Sequence, residues 1–174
     1  IFETREKLAG FINGKKSERL IFTQNGTESL NLAMLGLIGE NDHIITTSIE
    51  HNSVMRPLSF LQKERGTDFS VVQCSPKGEL HTEDIEKLIK KNTKAVIINH
   101  GSNVIGSVQP IADIKNRIGE IILIVDACQT IGSIPIDIEK DGIDILCFSC
   151  HKALFGIQGL GALYAREGLN FRPL

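Results

Sequence analysis

The sequence has almost no surplus charge. Nineteen basic residues against 21 acidic ones leave a formal net charge of −2, which gives no reason to expect nucleic acid or an anionic membrane as a partner. Long hydrophobic runs are missing too. The longest candidate, Ile118–Val125, is broken by Gly119 and Glu120, well short of the roughly 20 apolar residues of a membrane span. Cysteine is scarce: Cys74, Cys128, Cys147 and Cys150 in 174 residues do not make the disulfide framework of a secreted domain. The opening stretch IFETREKLAGFING is charged and helical in pattern, unlike a signal peptide, and the expected compartment is the cytoplasm. Repeats, low-complexity segments and flexible linkers are also lacking.

What is present is ordinary for a globular domain: 41% hydrophobic and 23% charged residues, in a chain long enough to bury a core. Apolar strands alternate with helical patterns. An amphipathic helix is expected over Phe2–Phe11, closed by Asn13-Gly14. A strand RLIFT is followed by a helix over Thr27–Leu37, and a strand HIITT by a helix over Ser53–Arg65. The strand FSVVQC ends in Cys74, and the helix HTEDIEKLIKK follows with Thr82 as its N-cap. KAVIIN is a strand, Ile111–Ile118 a helix, and IILIVDA, IDILCFS and LGALYA are further strands. Strands apolar on both faces and separated by helices predict an α/β domain, its mostly parallel sheet covered by helices on both faces.

In such sheets ligands bind beyond the carboxyl ends of the strands. Polar clusters fall at five of these ends: Gln24-Asn25-Gly26-Thr27-Glu28, Glu50-His51-Asn52-Ser53, His100-Gly101-Ser102-Asn103, Asp126 with Gln129, and Ser149-Cys150-His151-Lys152. Singly, each has an ordinary structural reading as a cap, a turn or a solvated loop, and His43 and His81 receive only that reading. Together they are harder to set aside, because the fold brings the ends to one edge.

The last cluster admits three chemistries. Cys147-Phe148-Ser149-Cys150-His151 fits the C-x-x-C-H pattern of haem attachment and equally half a zinc site. From Ser149 onward it is Ser-x-His-Lys before a glycine-rich loop, which suits a lysine that forms a Schiff base beside a phosphate. A pyridine aldehyde carrying a phosphate needs a lysine, a carboxylate for the ring nitrogen, phosphate donors, a plane against the ring and a donor to the phenolic oxygen. Lys152, Asp126, the Gly26-Thr27 helix start with Ser149 and His151, His51, and Gln129 supply these in turn. A metal or haem site leaves most of this set unused.

The segments FTQNGTESLNLA, EHNSVMRPL, NHGSNVIGSVQPI, IVDACQTIGSIPIDI and FSCHKALFGIQGLGALY resemble, in order, the class V aminotransferase group of pyridoxal-phosphate enzymes, and most of all cysteine desulfurases and selenocysteine lyases. The V-D-x-x-Q and S-x-H-K segments, 26 residues apart from Asp126 to Lys152, are specific in combination. The resemblance implies the large domain of a fold-type I pyridoxal-phosphate transferase over residues 1–174, with pyridoxal 5′-phosphate as cofactor. It implies Lys152 as the Schiff-base lysine, Asp126 on the pyridinium nitrogen, His51 stacked on the ring, and Gln129 on the phenolic oxygen. Gly26, Thr27, Ser149 and His151 would hold the phosphate, and Asn103 would lie near the cofactor oxygen and the substrate carboxylate. Gly26 stands where such proteins often carry Thr or Ala, so its contribution is expected from the backbone alone.

The resemblance further implies removal of sulfur from L-cysteine as an enzyme persulfide, a homodimer, and a sulfur-acceptor protein. Another class V activity (aminotransferase, epimerase or selenocysteine lyase) remains open at this point, as does a Cys/His metal- or haem-binding module. In this family the nucleophilic cysteine and the carboxylate-binding arginine lie beyond the lysine. The chain ends 22 residues after Lys152 and begins without Met, so a piece of a longer protein, without its N-terminal segment and C-terminal small domain, is the expectation.

Overall fold

A computed structural model describes residues 1–172. Its strands are β1 (Leu20–Thr23), β2 (His43–Thr47), β3 (Asp68–Val72), β4 (Thr93–Asn99), β5 (Ile122–Asp126), β6 (Ile145–Ser149) and β7 (Gly161–Ala165). They form one seven-stranded sheet in the order β1-β7-β6-β5-β4-β2-β3. From β3 through β6 every pairing is parallel. Only β7 runs the other way, antiparallel to both β6 and β1, which leaves β1 parallel to the rest. The carboxyl ends of six strands therefore share one edge, and the predicted mostly parallel α/β sheet is observed.

α1 (Phe2–Phe11) precedes β1, and four α-helices connect strands: α2 (Gly26–Leu37), α3 (Asn52–Arg65), α4 (Thr82–Glu86) and α5 (Ile111–Ile118). Alternation within the strands decides what each layer buries. In β4, Ala95 and Ile97 pack with Leu30, Met34, Leu58 and Leu61 of α2 and α3. Their neighbours Val96 and Ile98 pack with Ile85 of α4 and Ile111 and Ile114 of α5. Two cores thus lie on opposite faces of one sheet, which is why its central strands read as continuous apolar runs.

Four local expectations fail. α1 is not amphipathic in effect: Ala9 is its only buried residue, and Phe2 and Phe11 are exposed. Thr82 does not cap α4. It is the first helical residue, His81 precedes it without a side-chain cap bond, and the Thr82 hydroxyl instead accepts from Arg117 Nε at 2.7 Å. α4 is also shorter than HTEDIEKLIKK, because after Glu86 the chain tightens into i to i+3 bonds, Leu88 N–H to Ile85 O and Ile89 N–H to Glu86 O. Cys74 lies beyond β3 rather than ending it; its N–H donates to Ser48 Oγ at 3.0 Å.

Away from that edge, at the start of β6, Asp144 is fully buried between two cations. Lys115 Nζ is 2.8 Å from Oδ2 and Arg166 Nε 2.9 Å from Oδ1, and Leu123 N–H also donates to Oδ2 at 2.8 Å.

Candidate active site

All nine residues singled out by sequence line one cavity of about 230 Å³ at the carboxyl edge of the sheet. Its anion-binding wall is the start of α2. Asn25 caps the helix, its Oδ1 accepting from Glu28 N–H at 2.9 Å, and the Glu28 carboxylate accepts from Gln24 N–H. This reciprocal pairing is a capping-box variant that fixes the first turn. Gly161, the first residue of β7, leaves no room for a β-carbon against the Asn25 main chain (2.4 Å), so the cap is clamped from that side as well. Gly26 N–H donates to Ser149 Oγ at 3.2 Å. The Thr27 N–H is one of the orphan donors of a helix start, and its hydroxyl bonds Ser53 Oγ at 2.7 Å.

His51 caps α3 from the opposite wall. Its Nδ1 accepts from Ser53 N–H at 3.1 Å and lies 2.8 Å from Ser53 Oγ. Accepting a main-chain N–H requires an unprotonated Nδ1, so the ring carries its proton on Nε2. Thr27, Ser53 and His51 thus form a chain linking the start of α2 to the imidazole.

The floor is Asp126, at the end of β5 and only 4% exposed. Its Oδ1 accepts from Cys128 N–H at 2.9 Å, and among the described residues Oδ2 takes no hydrogen bond. Ser149 ends β6, and Lys152 follows on a turn held by Phe155 N–H to Lys152 O (2.9 Å) and Gly156 N–H to Cys150 O (2.8 Å). Among the described residues Lys152 has no ion-pair partner, which leaves its amine free for the cavity. Asn103 projects from the loop that the Gly101–Val108 bridge closes.

Four lining residues were not picked out as site residues: Asn25, Ser53, Asn99 and Cys128. Asn99 ends β4 in register with Asp126, a pairing that only the fold reveals. Two of the other histidines are structural. His100 is buried, its Nδ1 2.9 Å from Thr130 Oγ1, and His43 lies between Thr93 and Ser70 hydroxyls; burial lowers the pKa of both. The C-x-x-C-H pattern comes apart in space: Cys147 is buried in the α2–α3 core, Cys150 in the opposite one, and His151 faces the cavity. Among the described residues no group of three His, Cys, Asp or Glu side chains could hold a metal ion, and no helix is long and apolar enough to cross a membrane.

Glu50, beside His51, is an enclosed acid. Oε1 accepts from Asn99 N–H (3.0 Å) and the Thr47 hydroxyl (2.6 Å), while Oε2 is buried without a partner. Burial pushes its carboxyl up from 4.5 to about 8. The folded chain therefore binds this proton more tightly than the unfolded one. The resulting stability is complete below about pH 4.5 and is lost as pH rises towards 8. Glu50→Gln keeps Oε1 and cannot ionise, so relative to wild type it should gain up to roughly 1 kcal/mol per pH unit across that window. Urea unfolding across the window tests this; parallel curves for the two proteins would mean that Glu50 does not titrate there.

Comparison with known proteins agrees with this geometry. The Aminotransferase class-V family matches residues 1–174. The chain is 39% identical over 180 residues to "Cysteine desulfurase IscS" of Dictyoglomus turgidum, covering all of this chain and 45% of that protein. It is 37% identical over 179 residues to "Cysteine desulfurase IscS 1" of Archaeoglobus fulgidus, covering all of this chain and 46% of that one. Among solved structures, an apo cysteine desulfurase from Thermococcus onnurineus NA1 superposes with a TM-score of 0.92 at 35% identity, over 98% of this chain and 44% of its own. "SspA in complex with cysteine" gives 0.93 at 34% identity, over 99% and 51%. The chain spans about half the length of the curated relatives it matches. With the whole sequence matched and the predicted residues gathered in one cavity, the chain belongs to the class-V aminotransferase family.

Proposed function

We propose that the cavity is the pyridoxal-phosphate site of a cysteine desulfurase-type enzyme, which takes sulfur from L-cysteine and leaves alanine and an enzyme persulfide. One observation carries this reading: a free amine on a turn (Lys152), a buried carboxylate (Asp126) and a capped helix start (Gly26-Thr27) line the same cavity. Two similar proteins are named cysteine desulfurases and one similar structure holds cysteine, which supports the substrate. Pyridoxal 5′-phosphate is the family's cofactor, and the cavity's chemistry fits it. The helix start offers donors to a phosphate, and Asp126 keeps Oδ2 unengaged.

When bound, the cofactor supplies an electron sink for charge developing at the substrate α-carbon. The rest falls to the chain. Thr27, with Ser149 and His151, holds the phosphate. Asp126 keeps a proton on the ring nitrogen, Gln129 donates to the phenolic oxygen, and Asn103 faces the substrate carboxylate. His51 would lie against the cofactor ring and offer its Nε2 proton, while the Lys152 amine would hold the cofactor and move the proton at the substrate α-carbon. Overall a C–S bond breaks, an S–S bond to an enzyme thiol forms, and a proton is added at the former Cβ, with no external oxidant or reductant. We assign the exposed Val104, Ile105, Phe155 and Ile157, on the loops bearing Asn103 and Lys152, to a homodimer face, and the persulfide to a sulfur-acceptor protein.

The Asp126→Ala enzyme should lose about 100-fold or more in kcat with L-cysteine, while its unfolding midpoint moves far less. Undiminished turnover would remove Asp126 from this role.

None of the four thiols suits the nucleophile. Burial raises the pKa of Cys74, Cys128, Cys147 and Cys150, and Asp126 adds to the rise at Cys128 and Cys147. A thiol that carries sulfur away needs an ionisable sulfur on a mobile loop. The 174-residue chain, given L-cysteine and a reductant, should therefore release no steady sulfide. Turnover that vanished in Cys150→Ser or Cys128→Ser would contradict this.

A further inference from the structure

Gly26 is the buried first residue of α2, yet its backbone is not in the left-handed region that favours glycine. The requirement there is space. A β-carbon on residue 26 would lie 2.1 Å from Cys128 Sγ and 2.9 Å from Ser149 Oγ. The Ser149 hydroxyl sits at the tip of a rotatable side chain. The Cys128 main chain is fixed by its N–H to Asp126 Oδ1 at 2.9 Å, and its sulfur accepts the Ser149 hydroxyl at 3.5 Å. Ser149 Oγ in turn accepts Gly26 N–H at 3.2 Å. These three residues form a closed set: the helix start rests on the sulfur, and the serine ties both to the end of β6.

We propose that Gly26 and Cys128 are a matched pair of positioning residues. The sulfur fills the space below residue 26 and sets how far the α2 N-terminus seats against the ends of β5 and β6. The pair thereby sets the distance from the anion wall at Thr27 to Asp126 and Lys152. The pair acts through the placement of α2. As a statement about cofactor placement this rests on the pyridoxal-phosphate reading, whereas the packing of the pair does not.

The test is a double-mutant cycle in the full-length protein: wild type, Gly26→Ala, Cys128→Ala and the double variant. Two quantities are read, the dissociation constant for added pyridoxal phosphate and the thermal midpoint of the cofactor-free protein. Gly26→Ala in the wild-type background should weaken cofactor binding about tenfold and lower the midpoint; with Ala at 128, most of both losses should be recovered. An equal loss in both backgrounds, or no loss in either, overturns the pairing. If Gly26→Ala does not fold, a folded double variant supports the pair and an unfolded one overturns it. If even wild type binds no pyridoxal phosphate, the cofactor reading fails by itself. The cofactor-free midpoints still decide the packing: recovery supports the pair, and its absence refutes it.

Discussion

Lys152→Ala should abolish covalent attachment of pyridoxal phosphate while leaving the fold in place. The side chain is only partly buried, follows the end of β6 and has no ion-pair partner among the described residues, so little packing depends on it. Its turn is held by main-chain bonds that alanine retains, such as Phe155 N–H to Lys152 O. Borohydride treatment followed by mass measurement should add the cofactor's mass to wild type and nothing to the variant, with matching circular dichroism. A retained adduct in the variant would assign the amine to another lysine. An unfolded variant would show that the turn depends on the lysine's stem.

The largest stability effect should come from the opposite end of the sheet. Asp144→Ala removes a fully buried carboxylate and leaves Lys115, only 16% exposed, with an uncompensated charge. It also strips the acceptor from Leu123 N–H. Breaking one side of a buried ion pair in this way costs about 3–5 kcal/mol, far more than any exposed pair of this chain should contribute. Urea unfolding of the variant measures the loss. A change below about 1 kcal/mol would show that the cluster is relaxed by solvent. Asp144 lies at the start of β6 and the cavity at its end, so cofactor affinity per folded molecule should not change.

Much of this was legible in the sequence, for identifiable reasons. IILIVDA could be read as a central strand because both its faces are apolar, and Asp126 stood out as a charge at the end of such a run. Thr27 and His51 were legible through their position at helix starts. Asn99 was missed, since an amide ending KAVIIN looks like any strand terminus until pairing sets it beside Asp126. The role of Cys128 depends on Gly26, about 100 residues away in sequence, and only three-dimensional packing puts a sulfur beneath that glycine. The reversal of β7 left no local signature either, because GALYA is buried throughout, as a parallel strand would be.

That reversed strand imposes an order on synthesis. Leu20 pairs with Tyr164, so among the described strands β1 has no neighbour until β7 has been made. At about 5–20 residues per second, this interval is on the order of 10–30 s. Through that time α2 can form its cap, but the residues it must rest on, Cys128 and Ser149, are late arrivals as well. The nascent chain therefore carries the two halves of the cavity unassembled until β7 has been made.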